Sequence, residues 1–396
     1  MLRIKLITAI LVVLIFSEPG AEVLGILDVV PKIFKTKELK RTYALRLDEL
    51  IYSSESVSDF LVLTTAIPES TYVAGKLNIK FRRSETFIFD HENYYSAIKG
   101  RSFVSLIPEM NAYLVSSPHG DSAYKNEMFG LSGELLNSFI GPQVNVSPDG
   151  KYFYTYTEAE DWQPLIIYDS GMIQKFQFPF EKTYVVNALP NGVFAAGEKD
   201  RVYLYNAADN GILWELDLPE RSYVVDRSFN IRFSPGGSII IARDMTQAHF
   251  IDVDGKSFWS NNRINKGYSI GISRGSRLAS FAVGSHSYLI FQLFDYSGKI
   301  ITEEECEIGP DLAKANVWDK EVYVNDNFQM ARFTASDLKA NEERFITGVC
   351  IRDKDRYHVL AVDGLWYYLE KNNREGTLVG FENDRKEIIG YSVILK

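Results

Sequence analysis

Val146-Ser-Pro-Asp-Gly150 and Tyr168-Asp-Ser-Gly171 are two turn phrases set among short apolar runs, and both return along the chain. The second is a strand-like run ending in an Asp- or Asn-containing turn closed by Gly. It recurs as Phe129-Gly-Leu-Ser-Gly133, Tyr205-Asn-Ala-Ala-Asp-Asn-Gly211, Ile251-Asp-Val-Asp-Gly255 and Phe294-Asp-Tyr-Ser-Gly298. From Gly133 to Gly298 the closing glycines lie 38, 40, 44 and 43 residues apart, about one four-stranded propeller blade each. The first phrase keeps step as Leu189-Pro-Asn-Gly192, Phe233-Ser-Pro-Gly-Gly237 and Ile272-Ser-Arg-Gly275. Pro sets φ for a turn, and Asp-Gly or Asn-Gly accepts φ > 0. An apolar run follows each phrase, as at Tyr152–Tyr156 and Ile239–Ala242. Each unit therefore carries two phased turns and several short strands, a β-meander repeated around an axis.

The expectation is an all-β chain forming a single β-propeller of four-stranded antiparallel blades. The length from residue 51 to 396 accommodates about seven blades, and the period also allows six or eight. Two separate β domains are the alternative architecture. Residues 1–21 read as a signal peptide, 22–50 as a lead-in segment and 51–396 as the propeller domain. The turn Phe89-Asp-His-Glu-Asn93 reads as an early, degenerate copy of the phrase. Glu303–Asn316 breaks the period like an insertion, and Asp363-Gly364 reads as a hairpin turn. Propellers commonly complete their last blade by strand exchange between the chain ends, which removes exposed sheet edges.

The chain has 396 residues, 46% of them hydrophobic, which is enough for a large core. Its net charge of −9 argues against nucleic acid as a partner, because that binding needs basic patches to displace counterions. At the N-terminus Arg3 and Lys5 precede the apolar run Leu6–Phe16, and Ser17, Gly20 and Ala21 supply small residues for cleavage. The run is too short to span a bilayer comfortably and has the form of an export signal. The expectation is an exported chain, periplasmic or secreted, with no transmembrane span once the signal is removed. Export permits a disulfide, but the two cysteines, Cys306 and Cys350, are one blade period apart. Equivalent positions in neighbouring blades exceed the bridging distance, so the reading favours two free thiols.

Val202-Tyr-Leu-Tyr-Asn-Ala-Ala-Asp-Asn-Gly211-Ile-Leu-Trp214 resembles the repeat of quinoprotein-like (PQQ-type) propellers, in which a Trp past the Gly turn docks between blades. Phe250-Ile-Asp-Val-Asp-Gly255-Lys-Ser-Phe-Trp259 is similar, and Phe294–Ile301 keeps the turn without the Trp. The Ser-Pro-Asp-Gly phrase is similar to that of WD40-type propellers. The resemblance covers about half the chain and implies fold and inter-blade packing for Trp214 and Trp259. Quinoprotein dehydrogenases resemble it only in repeat style, being longer and richer in docked Trp and often having adjacent cysteines. No cofactor is expected.

Catalytic motifs are sparse. There is no Gly-x-Ser-x-Gly elbow, phosphate loop or His-Glu-x-x-His pattern. The histidines at 91, 119, 249, 286 and 358 are scattered. Asp252 and Asp254 are explained by turn chemistry better than by a calcium loop, which needs a longer ligand series. No catalytic residue and no metal ligand is assigned. Binding candidates are the loop residues His119 and Asp121, which could line a pocket, and the hairpin tip Glu158, Asp161 and Trp162. The function expected is a non-catalytic scaffold that binds a protein or other macromolecule of the cell envelope or outside. The alternative is a propeller hydrolase or lyase with its site at the mouth of the central channel.

Overall fold

The computed structural model describes residues 25–34, 40–47, 49–57, 59–73, 76–99, 102–121, 123–155, 165–178, 185–198, 201–217, 230–233, 237–243, 248–261, 268–272, 279–285, 288–294, 300–307, 322–324, 328–337, 342–353, 356–372, 374–382 and 387–395. Its strands are gathered into four-stranded antiparallel sheets that follow one another along the chain, and these form an all-β propeller. Sheet 1 holds Leu50–Val57, Phe60–Val73, Lys76–Phe89 and Tyr94–Lys99. Sheet 2 holds Phe103–Ile107, Ala112–His119, Ala123–Gly130 and Leu135–Gly141. Sheet 3 holds Val144–Val146, Tyr152–Thr155, Ile166–Asp169 and Gln174–Gln177, and sheet 4 holds Val185–Ala188, Val193–Glu198, Arg201–Asn206 and Gly211–Asp217. Sheet 5 runs from Asn230–Phe233 to Ser257–Asn261, sheet 6 from Tyr268–Ile272 to Ile300–Glu307, and sheet 7 from Val322–Val324 to Arg356–Asp363.

Sheet 8 closes the order. Leu365–Glu370, Glu375–Phe381 and Glu387–Ile394 come from the end of the chain, and Lys40–Arg46 is added from its beginning as the outer strand. The described residues therefore form eight four-stranded sheets, one above the expected seven and within the range the period allowed. Two features hid the last sheets from the sequence. The phrase is absent between Gly298 and Gly364, and sheet 8 draws on both chain ends. The segment expected as a lead-in contributes an integral strand, whose Lys40 and Arg41 lie on the exposed outer edge while Tyr43 is buried. Glu303–Glu305, expected to begin an insertion, belongs to the outer strand of sheet 6, an edge position where charge is tolerated. Asp363-Gly364 is not a hairpin within a sheet but the link from sheet 7 to sheet 8.

Helix α1, Ile26–Ile33, precedes the closing strand. Ile26, Val29, Val30 and Ile33 fall at helical spacing and are buried against Val349 and Val362 of sheet 7 and Trp366, Leu378 and Val393 of sheet 8. Phe34 then forms an isolated bridge with Leu395 and stacks on Tyr368, with centroids 6.0 Å apart. Inner strands are buried on both faces, as in Leu365-Trp-Tyr-Tyr-Leu369. Outer strands bury one face only.

Apolar layers join consecutive sheets. Ile88 packs with Tyr113 and Val115 between sheets 1 and 2, and Leu114 with Val144 and Phe153 between sheets 2 and 3. Ile167 and Phe178 meet Phe194 and Tyr205 between sheets 3 and 4, and Leu204 meets Ile231 and Ile251 between sheets 4 and 5. Leu365 and Tyr367 of sheet 8 pack with Leu61 and Phe89 of sheet 1, which joins the last sheet to the first. In sheets 1 to 6 the register of the outer strand slips by one residue, leaving Leu136, Leu213 and Ile301 each without a cross-strand partner. Such bulges twist an edge strand and interrupt the ladder it presents to other chains.

Trp366 is 1% exposed, and its indole N–H donates to the Asp363 carbonyl at 3.0 Å. Trp366→Ala is expected to lower unfolding free energy by about 3–5 kcal/mol in urea titration. Leu27→Ala, on the exposed face of α1, is expected to stay within about 0.5 kcal/mol of the parent.

Candidate interaction surface

One end of the propeller is locked by its own turns. In sheets 2 to 4 the turns between first and second strands contain Pro, and those between third and fourth strands are the Gly-containing turns of the other phrase. Both kinds lie at the same end, because backbone bonds join them: Leu131 N–H donates to Asn111 O at 2.9 Å in sheet 2 and Ala207 N–H to Gly192 O at 2.8 Å in sheet 4. Glu109 N–H donates to Pro148 O at 3.3 Å, which ties sheet 2 to sheet 3 at that end.

Asp149 is the buried centre of the next link. Its Oδ1 accepts from Ser147 Oγ at 2.7 Å, and Tyr152 N–H donates in turn to Ser147 Oγ at 3.0 Å. Its Oδ2 accepts from Asn191 N–H of sheet 4 at 3.0 Å and pairs with Lys151 Nζ at 3.1 Å. Burial acts to raise the Asp149 pKa, but the hydrogen bonds from Ser147, the Asn191 amide and Lys151 outweigh it and hold the carboxyl below its usual range. Asp252 and Asp169 also cap their own turns, accepting from Asp254 N–H at 2.8 Å and from Gly171 N–H at 3.0 Å. In this way the Asp residues of the repeat serve as turn ligands for backbone amides.

Trp214 docks as expected between sheets. Its indole N–H donates to Val253 O at 2.6 Å, and its ring covers Gly255, where a Cβ would meet Cγ at 3.0 Å. Gly255 has φ +82°, so glycine answers both the turn and the ring above it. The side chains of Trp259, Cys306 and Cys350 lie outside the described set.

His119 and Asp121 lie at the opposite end, on the turn joining the second and third strands of sheet 2. Both are exposed, and no hydrogen bond or ion pair joins them among the described residues. Glu158, Asp161 and Trp162 are outside the described residues. His249 is buried in the third strand of sheet 5, as expected of a structural histidine. Among the described residues no three His, Cys, Asp or Glu side chains converge as a metal site.

The outer rim carries a feature that sequence reasoning missed. Leu135, Leu136 and Ile140 on sheet 2, Ile173 at the outer strand of sheet 3, and Ile212 and Leu213 on sheet 4 are exposed by 40 to 65%. They sit on the outer edges of three consecutive sheets, and a Cβ on Gly141, next to Ile140, would meet Met172 Cε of the following sheet at 3.9 Å. Isolated exposed aliphatics are ordinary, whereas a run along edge strands marks a surface suited to a partner. The signal was present as doublets directly after the Gly turn, Leu135-Leu136, Ile212-Leu213 and Ile300-Ile301. Both members of the first two doublets are exposed, and the register slip falls on the second residue of each doublet.

No protein-family model matches the chain, and no curated protein matches it either. Among solved structures the chain is similar to Hsv2 of the yeast Kluyveromyces marxianus, with TM-score 0.52 and 8% identity over 79% of this chain and 97% of that one. It is also similar to Hsv2p of Kluyveromyces lactis, with TM-score 0.50 and 10% identity over 79% of this chain and 96% of that one. The likeness is one of β-propeller fold.

A carboxyl whose pKa is depressed on folding contributes stability above its unfolded pKa and loses it as pH falls through the folded value. Asp149→Asn is therefore expected to cost about 1–3 kcal/mol near neutrality. The loss should shrink below about pH 4, the ordinary Asp value. Denaturant midpoints of parent and variant across pH 2.5–7, taken as about that range, check this.

Proposed function

We propose that this chain is an exported, non-catalytic β-propeller scaffold that binds a protein partner along its outer rim. The observation that carries the reading is the run of exposed aliphatics on sheets 2 to 4, set beside an end whose polar groups are consumed by inter-turn bonds. A rigid ring with an apolar edge offers area for burial without a cost in ordering. The likeness to yeast β-propellers supports a binding fold in general terms. The docking of Trp214 supports a quinoprotein-like repeat used for packing without the cofactor. Export rests on the charged residues at 3 and 5 followed by the apolar run to Phe16, and it places the partner in the envelope or outside the cell.

Photo-crosslinking residues placed at 213 and at 151 test this. A single adduct of defined mass is expected from position 213 and none from position 151, on the locked end. Leu136→Asp should remove the adduct. Adducts absent from 213, or a hydrolase activity that survives Leu136→Asp and Leu213→Asp, would overturn the scaffold reading. N-terminal sequencing of the exported chain is expected to begin near residue 22.

A further inference from the structure

Met110 lies in the turn between the first two strands of sheet 2. Pro108 opens a single 3-10 turn, Pro108–Met110, and Asn111 closes it at φ +49°. Asn111 N–H donates to Pro108 O at 3.2 Å, and Glu109 N–H donates to Pro148 O of sheet 3 at 3.3 Å. The turn is thereby held against Ser147–Gly150, the Pro-containing turn of the next sheet. Gly150 has φ +72°, and the Met110 thioether occupies the space a side chain would need there. A Cβ on Gly150 would run into the Met110 sulfur and would lie 3.5 Å from Ile107 Cγ2. The sulfur is thus part of the seam between sheets 2 and 3.

The following seams are covered at the equivalent glycines by other groups, the Tyr152 ring over Gly192 and Leu189 over Gly237. Neither carries a thioether. Met110 is also 42% exposed. Of the other described methionines, Met128 is buried in the core between sheets 2 and 3, and Met172 packs half-buried against that core. An oxidisable group therefore stands at the surface and at a joint of the ring together.

We propose that Met110 is a site of reversible oxidation by a hydroperoxide, and that its sulfoxide loosens the joint between sheets 2 and 3. A sulfur lone pair attacks the terminal oxygen of the hydroperoxide. The S–O bond forms, the O–O bond breaks, and sulfur gives up two electrons to the peroxide. The terminal hydroxyl proton passes to the departing oxygen, which leaves as alcohol, or as water where the oxidant is hydrogen peroxide. Gly150 closes one side of the sulfur, which leaves the exposed side for attack. The product is a polar side chain in place of an apolar one, whereas the surface it covers, Gly150 and Ile107, is apolar. Hydration of the new S–O group competes with that cover. The turn beneath it carries the next link of the ring, since Asp149 accepts from Lys151 N–H at 3.3 Å and from Asn191 N–H of sheet 4 at 3.0 Å. Loosening is therefore felt at three backbone amides, those of Glu109, Lys151 and Asn191. The inference concerns the locked end and is independent of the rim, so either reading can fail alone.

Treatment of the purified chain with hydrogen peroxide tests this. Mass spectrometry of its peptides places the added oxygen, hydrogen exchange reads the joint, and circular dichroism verifies that each variant folds. Met110 is expected to gain one oxygen ahead of Met128 and Met172. In the oxidised chain the amides of Glu109, Lys151 and Asn191 are expected to exchange about tenfold faster or more, with Leu365–Glu370 unchanged. Met110→Leu keeps an apolar cover and should abolish the effect of peroxide. Met110→Gln, polar at the same length, should reproduce the effect without peroxide. Methionine sulfoxide reductases should restore the parent rates. Oxidation of Met110 no faster than that of Met128 overturns the inference, as does full oxidation with unchanged exchange at the three amides. An equal rise in peroxide-treated Met110→Leu would assign the effect to another residue and overturn it as well.

Discussion

From sheet 2 to sheet 5 each sheet of this propeller leans on the next through a residue that has no side chain. The ring of Tyr152 in sheet 3 lies over Gly192 of the next sheet, where a Cβ would come within 2.5 Å of the ring. Trp214 of sheet 4 covers Gly255 of sheet 5 in the same way. Both glycines have positive φ, so the turn and the seam make the same demand at one position. Any side chain there would both strain the backbone and wedge two sheets apart. At the Pro-containing turns Gly150, Gly192 and Gly237 all have positive φ and face a side chain of the preceding sheet, Met110, Tyr152 and Leu189, so the seam as well as the turn calls for glycine there.

A ring built from such seams needs closure, and closure falls to the first residues of the described chain. Lys40–Arg46 supplies the last edge, with α1 and Phe34 seated over sheets 7 and 8 just before it. The arrangement ties Val349, Trp366 and Leu395, far along the chain, to residues near its beginning. Contacts of such sequence separation form slowly in folding, because loop-closure entropy is lost before they stabilise anything. The outer edges of sheets 1 to 6 are handled by one-residue register slips. The slip interrupts pairing with a stray strand while leaving the side chains of the edge available to a specific partner.

Legibility followed from how many physical demands met on a residue. Gly192, Gly255 and Trp214 were readable because a turn, a φ and a packing seam converge on them. Sheets 7 and 8 were not, because the Asp-Gly phrase lapses after Gly298 and the last sheet is divided between the two ends. Lys40 and Arg41 looked like solvated linker, since an outer strand buries only alternate residues and its exposed half has no apolar signature. His119 and Asp121 stand out in the sequence by irregularity alone; both are exposed, and no hydrogen bond or ion pair joins them among the described residues. The aliphatic doublets were overlooked because alternation was used to find what is buried, whereas Leu136 and Leu213 are informative for being outside.

The two ends of the molecule therefore differ in what their polar groups are free to do. At the locked end Asp149, Asp169 and Asp252 are engaged by backbone amides. Withdrawing any of them for a ligand would leave a turn amide without its acceptor, at a cost comparable to a buried hydrogen bond. At the other end the described turn of sheet 2 carries His119 and Asp121, both exposed. Among the described residues, the surfaces that the seams do not use are that turn and the aliphatic rim. Loop and edge residues there can vary in chemistry while the glycine seams hold the ring unchanged.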